Sequence, residues 1–371
     1  MLDAVIVGAG PSGIGVGIIL QKMGINFAIL DRNSVGSSFL KWPKQMKLLT
    51  PSFFSNTFKM IDLNAISYDT SPALTLQTEH PSGHEYAAYL NKLTEHFKLP
   101  IQNDTNVSSV SKTEDVFTLQ TNKGEIKCKY LVWAAGEFQY PNLHSFPGSK
   151  NCIHNSLISN WDDVKGDEFF VIGGYESGMD TAINLAERNK RIIVIDKDNL
   201  LGNEEIDPSR TISPYTKDRL RRVNTDNQIT FHEGKVVRVE KEENEFVIFT
   251  EKKKIRSKTK PILANGFKGS LSLIHDLFDW EEGKAQLNSY DESIKTPGLY
   301  VTGPMLQQAH HVIFCFIYKF QQRFAVVANN IGIKLSKDVS VIAEYKKEGM
   351  YLDNLAAVSY THLTLPTTPY V

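Results

Sequence analysis

At 371 residues the chain is roughly two and a half times the length of a common domain, so two domains, or one domain interrupted by another, are expected. Lys and Arg total 41 against 42 Asp and Glu, and the net charge of -1 offers no field for nucleic acid or an anionic membrane. With 41% hydrophobic and 22% charged residues, a disordered chain is excluded; three widely spaced cysteines exclude a disulfide scaffold, a zinc knuckle and a C-x-x-C redox centre.

The first predicted unit runs from an apolar strand at Ala4–Val7 through Gly8-Ala9-Gly10-Pro11-Ser12-Gly13 into a helix ending near Met23. A second strand, Phe27–Leu30, then closes on Asp31. In a strand, glycine turn, helix, strand, acid unit, Gly8 permits the tight turn, Gly10 lets backbone approach a pyrophosphate, and Gly13 lets helix and strand pack closely. The helix-start amides face phosphate, and Asp31 stands where a ribose hydroxyl needs an acceptor. The apolar run Ala4–Leu20 is no signal peptide, because Asp3 precedes it and glycines interrupt it. A cytoplasmic protein without a membrane span follows, since Val312–Tyr318 is also too short to cross a bilayer.

Further along, Phe117–Thr121, an Asn122-Lys123-Gly124 turn and Leu131–Trp133 lead into Ala134-Ala135-Gly136. The whole layout then repeats. Phe169–Ile172, Gly173-Gly174-Tyr175-Glu176-Ser177-Gly178, a helical stretch to Arg188 and Ile192–Ile195 end on Asp196, which follows its first glycine by the same interval as Asp31. Phe246–Thr250 and Ile262–Leu263 run into Ala264-Asn265-Gly266, again like a hairpin returning to the sheet. Two dinucleotide-binding modules are the economical reading, with Tyr175 placing a side chain where backbone usually nears the pyrophosphate. The basic run Lys252-Lys253-Lys254, Arg256, Lys258 and Lys260 fits a solvated strand edge, and Cys128 and Cys315 read as core fillers.

These residues, with Pro141, Phe146-Pro147-Gly148 and Thr296-Pro297-Gly298-Leu299-Tyr300-Val301-Thr302-Gly303, resemble the two-dinucleotide-binding-domain flavoproteins. That group includes flavin-containing monooxygenases, thioredoxin reductases and bacillithiol-disulfide reductases. The resemblance implies an α/β fold of two Rossmann-like domains. FAD would lie in residues 1–145 and 291–356, and NADH or NADPH in an inserted domain, 146–290.

The expected FAD contacts are Gly8, Gly10, Pro11, Ser12, Gly13, Asp31, Arg32, Ser38, Trp42, Val107, Ala135, Gly136 and Gly303. Val312 and Ile313 join them as backbone donors opening a helix over about 311–329. The expected NAD(P)H contacts are Gly173, Gly174, Glu176, Ser177, Gly178, Asp196, Lys197, Asn265 and Gly266. Thr50 and Ser52, on an aromatic segment that in the group passes along the flavin, and His310 and His311 are the candidates for chemistry; no metal is expected. Pro304 replaces the group's usual Asp after the last glycine.

Thioredoxin reductases need a cysteine pair that is missing here, and the cysteine of bacillithiol-disulfide reductases falls at Ser12. The Gly174–Asp180 stretch resembles flavin-containing monooxygenases, although of their F-x-G-x-x-x-H signature only His154 remains. The leading expectation is a small bacterial monooxygenase-like enzyme that uses NAD(P)H, O2 and a flavin C4a-hydroperoxide on a small-molecule substrate. Two alternatives stay open: a flavin reductase serving a quinone, disulfide or protein, and a non-catalytic nucleotide-sensing flavoprotein. A homodimer is compatible with the resemblance. Asp196 would accept from a 2′-hydroxyl and repel a 2′-phosphate, favouring NADH. Residues 357–371 resemble vector read-through and are left out of the fold reading.

Overall fold

In the computed structural model, residues 1–53, 61–198, 202, 209–224, 227–310 and 313–355 are described. The chain forms two units, one made of Met1–Leu40, Thr50–Gln139 and the chain from Gly269 onward, the other of Lys41–Leu49 and Tyr140–Lys268.

The first unit begins with β1 (Leu2–Val7), α1 (Pro11–Lys22) and β2 (Phe27–Leu30). A short α2 (Ser37–Leu40) and α3 (Pro72–Leu76) precede α4 (Gly83–His96). Ser82 and Glu85 close a capping box at the start of α4, satisfying two helix-end amides reciprocally. Then come β3 (Ile101–Gln102), β4 (Val107–Thr113), β5 (Val116–Thr121) and β6 (Gly124–Trp133). β6 has two roles: its first half pairs antiparallel with β5, and its second half pairs parallel with β1. Parallel strands buried on both faces demand continuous apolar runs, and Ala4, Val5, Ile6, Leu131 and Val132 are fully buried.

The second unit repeats the arrangement. β7 (Ile153–His154), β8 (Glu168–Ile172), α5 (Glu176–Ala186), β9 (Arg191–Asp196), α6 (Pro214–Val223) and β10 (Ile229–Glu233) lead into a meander of β11 (Val236–Glu242), β12 (Glu245–Thr250) and β13 (Lys254–Ser257), then β14 (Ile262–Leu263). The parallel sheet runs β10-β9-β8-β14-β7. Here the meander forms its own sheet, whereas in the first unit it merges into the parallel one. Pro261, directly before β14, lacks the amide that a continuous ladder would use. On the meander, Lys254 and Arg256 pair with Glu242 across exposed strands, as expected of a solvated edge.

Back in the first unit, a small hairpin of β15 (Trp280–Glu281) and β16 (Lys284–Ala285) is followed by β17 (Leu299–Val301), which pairs parallel with β6. The parallel part of this sheet is therefore ordered β3-β2-β1-β6-β17. α7 (Ile317–Phe320), α8 (Phe324–Lys334) and α9 (Ile342–Lys347) complete the unit. α1 is buried from Ser12 to Leu20 because α8 covers its outer side; a Cβ at Gly15 would lie 2.3 Å from the Phe324 ring.

Two expectations change. No helix starts at Ile313: residues 313–316 are non-helical and α7 begins at Ile317. The stretch Ile313-Phe314-Cys315-Phe316 is β-branched and aromatic, and Phe314 is fully buried, so tertiary packing outweighs weak helix propensity. His311 and Val312 lie outside the described residues. Cys315, expected in the core, is exposed, whereas Cys128 and Cys152 are buried. No helix among the described residues is long and apolar enough to cross a membrane.

Candidate functional site

Both glycine turns have the same backbone. Gly8 and Gly173 sit at φ 112° and 110°, a region that favours glycine, and side chains there would strike the Ala134 and Ala264 carbonyls at 2.4 Å in each case. A Cβ on Gly13 would fall 1.9 Å from the Gly8 carbonyl oxygen, and one on Gly178 2.0 Å from that of Gly173. Helix and strand can meet this closely only with hydrogen at those positions. At the capping positions, Gly10 (φ -90°, ψ -172°) and Tyr175 (φ -88°, ψ -171°) adopt one conformation, and neither helix start carries a side-chain cap.

A diphosphate fits the first cradle. A Cβ on Gly10 would meet no atom within 4 Å, so open space faces the uncapped start of α1, where amide hydrogens and the helix dipole favour an anion. Pro11 occupies the first helical turn, where its missing N–H costs nothing. The Asp31 carboxylate is buried and accepts from the Ala9 and Asn33 amides, both at 2.8 Å. Each carboxylate oxygen carries two lone pairs, so loop amides and a ribose hydroxyl can share the group. Ser12 packs against Gly303, whose Cβ would lie 2.3 Å from the Ser12 Oγ, which brings the tip of β17 to the glycine loop. Ala135 follows the end of β6, its Cα 3.1 Å from where a Cβ on Gly8 would lie, and Gly136 turns the chain at φ 66°.

Sequence reading missed Gln139, which gathers the neighbouring expected residues. Its Oε1 accepts from Arg32 at 2.8 Å and Asn33 at 3.3 Å, and its Nε2 donates to Ser37 at 3.3 Å and Ser38 at 3.1 Å. Val107 opens β4, two residues after Thr105, whose amide donates to the Asp31 carbonyl at 2.7 Å. Also missed was Glu137, whose Oε2 accepts from Gln307 at 2.7 Å; burial pushes its carboxyl up to about 7.

Thr50 and Ser52 have a structural setting. Both are buried, and Asn64 donates to the Thr50 carbonyl and the Ser52 Oγ, each at 2.8 Å. Fully buried Asp62 accepts from Ser71 and Ala73, each at 2.9 Å, and burial raises its pKa. His310 joins a deeper group: its Nε2 lies 3.1 Å from one oxygen of Asp291, while Arg323 Nε donates to the other at 2.8 Å. Arg323 also donates to the Ser289 carbonyl at 2.6 Å and to the Leu352 carbonyl. Arg323 and Asp291 are both fully buried.

The second cradle differs in detail. The Tyr175 side chain packs against the core cluster containing Met179 and Ile212 instead of projecting into the turn. Asp196, at the tip of β9, lies over Gly174, where a Cβ would be 2.6 Å from that of Asp196. Glu176, expected at the nucleotide, is buried with its carboxylate accepting from the Ser213 amide and, at 2.6 Å, from the Thr216 hydroxyl. That ties α5 to the start of α6, and burial raises its pKa. Ser177 opens α5, while Lys197 pairs with Asp198 at 3.3 Å on the surface. Asn265 donates to the Asn142 carbonyl at 3.1 Å, and the Gly266 carbonyl meets His154 Nε2 at 3.1 Å. His154 is buried with a lowered pKa, a neutral strut between β7 and that turn. Trp42 lies on Lys41–Leu49, a segment built into this unit through Lys44 and Gln45. Among the described residues no group of three His, Cys, Asp or Glu is placed to hold a metal.

The family pattern for pyridine nucleotide-disulphide oxidoreductases matches residues 5–303, from β1 through both glycine turns to the tip of β17. The chain belongs to this family. FAD and NAD(P)H are accordingly its cofactors. Among curated relatives, an uncharacterized oxidoreductase, CzcO, of Bacillus velezensis is 33% identical over 195 residues, covering 50% of this chain and 52% of that protein. The chain thus spans about half the length of the curated relatives it matches. Two solved structures share the fold. Bacillithiol disulfide reductase of Staphylococcus aureus has a TM-score of 0.73 at 18% identity, covering 90% of this chain and 98% of that one. A flavin-containing monooxygenase of Stenotrophomonas maltophilia has a TM-score of 0.68 at 16% identity, covering 90% and 99%.

In this pyridine nucleotide-disulphide oxidoreductase the cysteines are poorly suited to thiol exchange. Burial pushes Cys128 and Cys152 up to about 12, no disulfide joins the cysteines among the described residues, and Ser12 stands in the glycine turn.

Proposed function

We propose that the protein is an FAD-dependent oxidoreductase that takes hydride from NADH and delivers the electrons to dioxygen, oxygenating a small molecule in the manner of flavin-containing monooxygenases. The carrying observation is the pair of glycine turns with matching backbone angles, one open at Gly10, each at the tip of a parallel sheet. When bound, the flavin would supply the hydride-accepting and oxygen-reacting chemistry.

The chain's own residues position and insulate the cofactors. The α1 amides and Gly8–Gly13 hold the diphosphate of FAD, and Asp31 holds a ribose. Arg32 and Ser38, aligned by Gln139, line the same half. In the other unit Gly173, Gly174, Ser177 and Gly178 carry NADH, and Asp196 disfavours a 2′-phosphate through like-charge repulsion. Gly266 and Asn265 flank that turn. His310, oriented by Asp291, is the candidate for proton handling near the ring. The burial and raised pKa of Cys128 and Cys152, and the serine at position 12, favour oxygen over a disulfide as acceptor.

The test is a stoichiometry. Purified protein reconstituted with FAD is given NADH and O2, with and without a panel of soft nucleophiles such as amines and thioethers. Peroxide release below one per NADH when a nucleophile is present, with oxygenated product making up the difference, supports the reading. Peroxide equal to NADH under every condition leaves a simple flavin reductase, and failure to bind FAD removes the redox assignment entirely.

A further inference from the structure

The strand order of the first unit acts as a ruler for anything lying across its tips. Asp31 marks the ribose end at β2, and the Gly10 cradle marks the diphosphate at β1. Neighbouring strands are about 4.8 Å apart, so the other half of a dinucleotide must run over the tips of β6 and then β17. Glu137 follows Gly136 at the tip of β6, and Gln307 lies just past Gly303 at the tip of β17. Their side chains meet at 2.7 Å, against the half of the site that takes the ring.

On the proposed reading, with FAD in this cradle and a nicotinamide as donor, we propose that Glu137 is a proton site coupled to flavin reduction, binding one proton from solvent as the ring accepts a hydride. Hydride carries two electrons and a proton from the nicotinamide, which leaves oxidised, and the ring system gains one negative charge. The carboxylate of Glu137 then binds a solvent proton, forming its O–H bond and restoring the local charge. Only burial and the Gln307 amide act on this carboxyl; no charged side chain bears on it among the described residues. On the chain around β17, His310 and Arg323 are engaged on Asp291 and Lys284 donates to the His310 carbonyl at 3.4 Å, while the first turn of α1 carries no acid. A carboxyl held up to about 7 by burial is poised so that a new negative charge tips it towards its protonated form.

The experiment compares FAD-loaded wild type with Glu137→Gln and Gln307→Leu. Each is reduced anaerobically by one equivalent of NADH in weakly buffered solution containing a pH indicator, and the infrared difference spectrum is recorded in parallel. A little above about pH 7, wild type should take up close to one proton per flavin more than Glu137→Gln. That excess should vanish near about pH 5, where the carboxyl is already protonated, and the protonated-carboxyl band should be missing from the variant. The Gln307 hydrogen bond lowers the Glu137 pKa, so Gln307→Leu should move the proton-uptake window to higher pH, which a purely structural role would not do. Should Glu137→Gln fail to fold, the Gln307→Leu shift decides the matter. Equal uptake by wild type and Glu137→Gln at every pH, or an unmoved window in Gln307→Leu, overturns the proposal while leaving the cofactor reading intact. Protein that binds FAD but is not reduced by NADH overturns both.

Discussion

Arg323→Met tests whether the buried ionic cluster anchors the end of the first unit. Both Arg323 and Asp291 are inaccessible to solvent, and the guanidinium bonds Asp291, the Ser289 carbonyl and the Leu352 carbonyl. Removing it leaves a buried carboxylate supported by His310 at 3.1 Å. Breaking one side of such a pair costs about 3–5 kcal/mol, because the surviving charge stays desolvated. At about 2–4 °C per kcal/mol for a unit of this size, the melting temperature should fall by roughly 10 °C. The double variant Asp291→Leu/Arg323→Met removes both members of the ion pair and so strands neither charge, and it should lose about half as much. Urea unfolding followed by circular dichroism, compared at matched m-values, measures both. If the single variant lies within about 1 kcal/mol of wild type, or the double variant costs as much as the single, the desolvated-charge argument fails.

Three other outcomes are expected. Since Glu137 keeps its proton up to about 7 in the folded protein and an unfolded carboxyl loses it near 4.5, folding stability should fall as pH rises through that window and level off above it. Glu137→Gln should flatten this slope, gaining about 1–3 kcal/mol on wild type at pH 8 relative to pH 5 in urea titrations. Gly13→Ala forces a methyl against the Gly8 carbonyl oxygen, so FAD retained after gel filtration should drop at least about tenfold even where far-ultraviolet dichroism is kept. Asp196→Ser removes the like charge at the tip of β9, and the NADPH to NADH ratio of kcat/KM should rise by about tenfold or more; an unchanged ratio would place the ribose elsewhere.

How much of this was legible beforehand depended on whether a constraint was local. Gly8, Gly13, Gly173 and Gly178 stood out because backbone geometry admits little else there, and both parallel sheets followed from their apolar runs. The side-chain partners of Glu176, Ser213 and Thr216, could not be foreseen, because they arrive from the start of a helix that only the tertiary fold brings near. Tyr175 looked like an obstruction, yet its backbone copies that of Gly10 and its ring finds the core, a choice of rotamer that sequence does not reveal. Ser52 sits in a network with Asn64, and Asp291 with Arg323, across loops with no periodic signature. Glu137 was adjacent to a recognised turn, but its shifted ionisation comes from burial and Gln307, both products of folding.

The late arrival of β17 has a consequence for synthesis. Until the ribosome has made Leu299–Val301, the C-terminal half of β6 shows an open hydrogen-bonding edge to the cell, while β7 to β14 have already emerged. A nascent chain in that state carries a sticky border that only its own distant segment should fill, and closure over such separation is slow. Truncations ending before Gly298 should therefore aggregate or recruit chaperones, even though both glycine turns have been translated.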